Sequence, residues 1–259
     1  MSERTTAMRE GTAMSTGRTL AIGDIHGGLR ALKQVLERAA VKPDDLVIFL
    51  GDYVDGWSES PQVLDFLMEY RKKQRCVLLR GNHDMMLLEW LKSGTEHPQW
   101  LRHGGVSTLK AYVHVSYDDR ARHIALMDND FVDFYQEEGG RLFVHAGFTH
   151  VRGFRSEYFK PMLYWDRSLW EMALGVDPSL SRDHPRYPAR LKLYPEIFIG
   201  HTPTIHLGTH EPVNAACVWN LDTGAGFDGP LTLMDADSKE YWQSDAVHTL
   251  YPNESPRMA

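Results

Sequence analysis

Three short apolar runs, each closed by a glycine and a polar residue, set the pattern of the first third of the chain. They are Thr19-Leu-Ala-Ile-Gly-Asp-Ile-His26, Leu46-Val-Ile-Phe-Leu-Gly-Asp-Tyr-Val-Asp55 and Cys76-Val-Leu-Leu-Arg-Gly-Asn-His-Asp84. An unbroken apolar run of this length, ended by a turn signal, predicts a strand buried on both faces. Between the runs the period changes to that of helices. Leu29, Leu32, Val35, Leu36 and Ala39 share one face, with Arg30, Lys33, Glu37 and Arg38 opposite. Ser60-Pro61 opens a second helix, with serine at the cap, and Val63, Leu64, Phe66, Leu67 and Tyr70 form its buried side. A third helix starts at Asn82 or His83 and carries Met85, Met86, Leu88 and Leu91. The order β-α-β-α-β-α implies parallel strands and right-handed crossovers.

Beyond this point the pattern is less regular. Segments 99–112 and 119–135 predict helices capping one side of the strand ends, and 162–173 a further helix. Segment 141–144 is a fourth strand ending at His145, and 196–199 a fifth ending at Gly200-His201. Segment 179–188 has loop composition, and strand-like segments at 204–208, 215–221, 231–234 and 240–243 suggest a second, mostly antiparallel sheet. The expected fold is α/β, two facing mixed β-sheets flanked by helices. One domain over 17–259 follows a flexible polar tail over 1–16.

Composition narrows the possibilities. A chain of 259 residues with 42% apolar and 24% charged residues fits one large globular domain. A net charge of -7 without a basic block counts against duplex nucleic acid as a partner. No apolar run reaches the length of a membrane span, and the polar N-terminus lacks the apolar core of a signal peptide. Cys76 and Cys217 both sit among apolar residues and read as small core side chains, which suits a reducing, cytoplasmic setting.

The strand ends carry the candidate chemistry. They deliver Asp24, His26, Asp52, Asn82, His145 and His201. Carboxylate, amide and imidazole donors together suit two divalent ions such as Mn, with Fe, Zn or Co as alternatives, and the lack of thiolate argues against a structural zinc site. Asp24 and His26, two residues apart at a strand exit, can turn toward one ion, and Asp52 can bridge two. Two metals about 3.5–4 Å apart clamp a phosphorus centre, and a bridging hydroxide serves as nucleophile. A single Gly-Asp-X-His has a plainer reading as a local turn, and thirteen histidines will place some beside glycine by chance. The joint pattern at five strand ends is what chance does not supply.

Gly23-Asp24-Ile25-His26-Gly27, Gly51-Asp52-Tyr53-Val54-Asp55-Gly56, Arg80-Gly81-Asn82-His83-Asp84, His145-Ala146-Gly147 and Gly200-His201-Thr202-Pro203 together resemble the calcineurin-like metallophosphoesterases. Within them the chain is most similar to the phosphoprotein-phosphatase branch, which includes bacterial serine/threonine phosphatases and symmetrical diadenosine tetraphosphate hydrolases. Leu221-Asp222-Thr223-Gly224 resembles a later strand of that branch. The resemblance implies that Asp24 and His26 hold the first metal, that Asp52 bridges, and that Asn82, His145 and His201 hold the second. It implies His83 as general acid, oriented by Asp55.

Two departures stand out. The family has Val-Asp-Arg-Gly where this chain has Val54-Asp55-Gly56-Trp57, so the arginine that grips phosphate is missing. Arg102-His103-Gly104-Gly105 replaces a family asparagine by His103, which is placed equally well in the pocket or on the surface. Arg102, Arg152, Arg155, Arg167 and Arg182 are candidate replacement cations, and Trp57, Tyr164 and Trp165 candidate pocket walls. The expected reaction is hydrolysis of a phosphate monoester, on a phosphoprotein or small molecule. The alternative is a phosphodiester or dinucleoside polyphosphate, which the loss of the arginine favours. A non-enzymatic scaffold would be expected to have lost ligands, and none is missing here.

Overall fold

The computed structural model describes residues 17–255 and 257; the expected N-terminal tail over 1–16 lies outside the described residues. The first three apolar runs form β1 Thr19–Ile22, β2 Leu46–Phe49 and β3 Cys76–Leu79, joined by α1 Leu29–Arg38 and α2 Ser60–Tyr70. β1 pairs with β2 and β2 with β3, both in parallel, as the crossover pattern requires. α3 Asn82–Ser93 follows β3 directly and ends on left-handed Gly94. Ser60 is not the cap of α2. It lies inside the first turn, fully buried, and its hydroxyl accepts the Asp55 N–H at 3.1 Å.

The continuous apolar character of the strands has a direct cause in the layering. Leu20, Ile22, Val47 and Phe49 face outward into a core shared with α1, α2 and α3. Their neighbours Ala21, Ile48 and Leu50, with Met234 of the same sheet, face the second sheet, where they meet Phe143, Phe198 and Leu221. Both faces of β1 and β2 are therefore dry, and no polar alternation survives there.

The middle of the chain departs from expectation in three places. The helix expected over 99–112 is broken into α4 Pro98–Trp100, a π-helical turn Leu101–Gly105 and α5 Val106–Tyr112, because Gly104 adopts φ 106°. The helix expected over 119–135 is α6 Tyr117–Asn129. It gives way to two short strands, β4 Phe131–Val132 and β5 Phe134–Gln136, since the aromatic residues there serve sheet edges. The expected helix over 162–173 is two, α7 Met162–Trp165 and α8 Ser168–Leu174, separated where the Asp166 carboxylate accepts the Ser168 and Leu169 N–H groups.

The second sheet is built from β5, β6 Leu142–Val144, β7 Ile197–Ile199, β8 Val213–Ala215 and β9 Val218–Asn220, in the order β5-β6-β7-β9-β8. It is mixed, not mostly antiparallel: β6, β7 and β9 run parallel, with antiparallel β5 and β8 at the edges. The strand-like segment at 204–208 is a 3-10 helix, Thr204–Leu207, entered through Pro203. β10 Thr232–Asp235 and β11 Tyr241–Gln243 join the first sheet, where β10 lies antiparallel beside β1. The first sheet thus runs β11-β10-β1-β2-β3-β4. Both sheets aim three parallel strands at a common edge.

Candidate metal and catalytic site

Six parallel strand ends meet at that edge. β1 delivers Asp24 and His26, β2 Asp52, β3 Asn82, β6 His145, β7 His201 and β9 Asp222. All seven side chains are buried. Close approach is possible because glycines precede the donors. A Cβ on Gly200 would sit 2.0 Å from Asp24 Oδ1, and one on Gly81 2.2 Å from Asp52 Oδ1. His26, Asp52, Asp55 and His201 all have positive φ, so the backbone holds these side chains in conformations that L-residues rarely take.

Asp52 lies at the centre, its two oxygens facing different neighbours. Oδ2 is 3.8 Å from His26 Nε2, and Oδ1 is 3.5 Å from His145 Nε2. Asp24 Oδ2 stands 3.9 Å from the same His26 nitrogen. Asn82 Oδ1 lies 3.1 Å from His145 Nε2 and 2.9 Å from His201 Nδ1. Two three-residue clusters of possible ligand atoms result, His26/Asp52/His83 and Asp52/His145/His201, with Asp52 common to both.

Backbone carbonyls determine which imidazole nitrogen is free. His145 Nδ1 donates to Leu50 O at 2.7 Å and His26 Nδ1 to Val54 O at 3.1 Å. Each Nε2 is then an acceptor turned inward, that of His26 lying 2.9 Å from Arg257 Nη1. His145 Nε2, Asn82 Oδ1 and Asp52 Oδ1 therefore crowd acceptor against acceptor, an arrangement that calls for a cation between them. Electrostatics agree. Burial, then Asp222 and Asp52, pushes the Asp24 carboxyl well above the usual range, and burial followed by Asp84 does the same for Asp52. Burial holds His145 down to about 4, and keeps His26 and His201 well below the ordinary imidazole value. Neutral imidazoles and crowded, buried carboxylates form a donor set that fits divalent ions.

Beside this cradle stands a second unit. His83 Nδ1 lies 2.6 Å from Asp55 Oδ2, which leaves its Nε2 facing Asp52 and His26. Asp55 also accepts Trp100 Nε1–H at 2.7 Å and the Thr108 hydroxyl at 2.6 Å. These donors hold the carboxylate in one orientation while burial raises it to about 7.

The expected substrate contacts fare differently. Trp57 is not a pocket wall. It is fully buried, stacks on Tyr251 with ring centroids 5.3 Å apart and donates to Ala225 O at 2.7 Å, because the loop after Asp55 turns into the core. Arg102 is exposed and its Nε turns back to Pro98 O, while His103 stands exposed on the rim. Of the other candidate cations, Arg182 is spent on Leu191 O and Tyr194 O, and Arg155 bonds Gln136. Arg167 lies near enough to depress His201. Tyr164 is buried, whereas Trp165 stays partly exposed, 6.4 Å from the His201 ring.

Three site residues had no role assigned from the sequence. Asp222, raised by burial to about 6, repeats the strand-end pattern after β9 and was legible there. Asp84 accepts the N–H groups of Asp52, Tyr53 and Gly81, all at 2.9 Å. Arg257 reaches in from the C-terminal end, with Nη1 2.9 Å from both His26 ring nitrogens. No local sequence signal marks it. Next to Arg257 a groove of about 520 Å³ is lined by Ile205, His206, Thr209, His210 and Phe227.

Comparison with known proteins identifies the family. The calcineurin-like phosphoesterase model matches residues 17–229. A symmetrical bis(5'-nucleosyl)-tetraphosphatase of Pseudomonas putida strain GB-1 is 44% identical over an alignment that covers 88% of this chain and 93% of that one. The enzyme of the same name from Pseudomonas fluorescens strain SBW25 is 32% identical, covering 86% and 92%. A crystal structure described as a candidate diadenosine tetraphosphatase superposes with a TM-score of 0.61 at 18% identity over 90% of this chain and 95% of its own. A point mutant of a cold-active protein tyrosine phosphatase gives 0.55 at 17% identity, over 95% and 85%. At such identities the likeness is one of fold. The sequence match over most of the chain goes further: this protein belongs to the calcineurin-like phosphoesterase family and is a hydrolytic metallophosphoesterase.

Proposed function

We propose that the protein hydrolyses dinucleoside polyphosphates, with bis(5'-nucleosyl) tetraphosphates as the first substrates to test. The observation that carries this choice over a monoester is the 44% identity to a symmetrical bis(5'-nucleosyl)-tetraphosphatase across nearly the whole length of both chains. The groove beside Arg257 supports it, since about 520 Å³ falls in the usual range for small-molecule sites. The order expected from the sequence, monoester first, is thereby reversed.

In the proposed site Asp24, His26 and Asp52 would hold one divalent cation, and Asp52, Asn82, His145 and His201 the other. A bound pair supplies charge for the phosphoryl oxygens and acidifies the attacking water. The chain's own part is orientation and proton transfer. Leu50 O and Val54 O keep the ligand nitrogens of His145 and His26 as acceptors. His83 Nε2 gives a proton to the oxygen leaving phosphorus, and Asp55 aims the ring and stabilises its charged form through Nδ1. Water is consumed, one P–O–P bond breaks, and symmetrical cleavage yields two nucleoside diphosphates.

The test is direct. Manganese-loaded protein is incubated separately with bis(5'-adenosyl) tetraphosphate, para-nitrophenyl phosphate and a phosphopeptide, and products are resolved by anion exchange. The proposal expects adenosine diphosphate alone from the first, at the highest kcat/KM. A higher kcat/KM on either monoester returns the assignment to a phosphatase.

A further inference from the structure

Arg257 carries a cation in among the buried carboxylates of Asp24, Asp52, Asp55 and Asp222 and lowers each of them, yet it is in salt-bridge contact with none. Among the described residues its buried Nε has no hydrogen-bond partner, and its guanidinium forms no ion pair at contact distance. Its position is held by packing and backbone. The Arg257 N–H donates to Gly226 O at 3.2 Å, and the guanidinium lies 5.1 Å from the Phe227 ring centroid. The side chain threads a gap left by two glycines, both at φ 106°. A Cβ on Gly56 would meet Arg257 Cδ at 3.3 Å, and one on Gly104 at 3.0 Å. The guanidinium thus stands beside Gly56, the position that lacks a side chain.

A partly buried guanidinium whose Nε–H has no acceptor is costly until one is supplied. Among the described residues its one polar side-chain contact is with His26, through Nη1. A divalent ion taking the His26 Nε2 lone pair excludes Nη1 from it, and the fork is then free for another acceptor. A planar fork with an idle Nε edge matches two oxygens of a phosphate group. We propose that Arg257 is a substrate-binding residue whose guanidinium grips the ester's phosphate from the space that Gly56 leaves open. This rests on the phosphate-ester reading of the site, and not on which ester is turned over.

Inorganic phosphate is the probe, so the outcome stays readable even if tetraphosphate proves a poor substrate. Full-length wild type, Arg257→Ala and Arg257→Lys are loaded with manganese. Bound metal is measured by atomic emission, and phosphate binding by titration calorimetry. Arg257→Ala is expected to weaken phosphate binding by about tenfold or more with manganese content undiminished, and Arg257→Lys by less, since a point charge keeps attraction but loses the fork. Added methylguanidinium should restore part of the loss in the alanine variant. The proposal is overturned by a phosphate Kd within about twofold of wild type, by tighter binding in the alanine variant, or by absence of phosphate binding in the loaded wild type.

Discussion

The Asp84 carboxylate accepts the backbone N–H of Asp52 at 2.9 Å, so a residue in the first turn of α3 fixes the loop that follows β2. Its other acceptances, from Tyr53 and Gly81, tie the same carboxylate to both loops. Asp52 sits at φ 51°, a conformation that persists only because it is over-determined in this way. Asp84→Ala leaves three buried N–H groups unpaired. It should lower unfolding stability by about 3 kcal/mol and reduce bound manganese as well. Urea unfolding with metal analysis checks both, and a stability loss below about 1 kcal/mol would remove Asp84 from this role.

The His83–Asp55 pair predicts a dependence on the leaving group. Asp55→Asn keeps the size of the side chain but removes the carboxylate proposed to stabilise protonated His83, whose ring burial and then Arg257 otherwise hold well below the ordinary imidazole value. The rate should fall about 100-fold on esters with strongly basic leaving oxygens and far less on para-nitrophenyl esters, with manganese content unchanged. Equal losses on both kinds of ester would show that Asp55 acts by structure alone.

Metal removal should cost stability as well as activity. A chelator-treated sample is expected to be inactive. Manganese at about 100 times its dissociation constant should raise stability by about 2.7 kcal/mol. Asp52→Asn, which weakens both clusters, should flatten this response. A thermal melt that ignores manganese in the wild type would contradict the proposed cradle.

His123 offers a test of pH dependence away from the site. Its ring is buried, Nδ1 lies 2.8 Å from the Tyr112 hydroxyl and Nε2 3.2 Å from Asp65. Burial lowers its proton affinity below the ordinary value of 6.5 despite the opposing pull of Asp65. The folded ring is neutral where the unfolded ring gains a proton, so the contribution to stability is present above 6.5 and is lost as pH falls. His123→Gln should therefore be less stable than wild type at pH 7, and the gap should narrow as pH falls below 6.5. A gap that widens on acidification would reverse the sign.

Much of the fold was legible because its first half is governed by neighbours in sequence. β1 to α3 combine an apolar run, a glycine and an amphipathic helix, and each boundary carries a local cause. The positions proposed to hold metal share this local pattern of apolar run, glycine and polar residue. What sequence concealed depends on distant partners. Residues Phe131 to Gln136 fit a helical period as well as a strand, and only pairing with β3 and β6 decides between them. β10 finds β1 across most of the chain, so its sheet could not be read from pattern. Trp57 follows the loop that carries Asp55 yet packs on Tyr251, and Arg257 meets His26 from the far end of the chain.

The donors are divided between the two sheets, Asp52 and Asn82 on one, His145 and His201 on the other. Between the sheets lie apolar side chains such as Ala21, Ile48, Phe143 and Phe198. That layer acts as a spacer whose thickness sets the bite between the two halves of the donor set. A bulkier residue at Ala21 would shift one half of the cradle against the other without touching a ligand. Positions that look purely like filling would therefore help to set how the two halves meet.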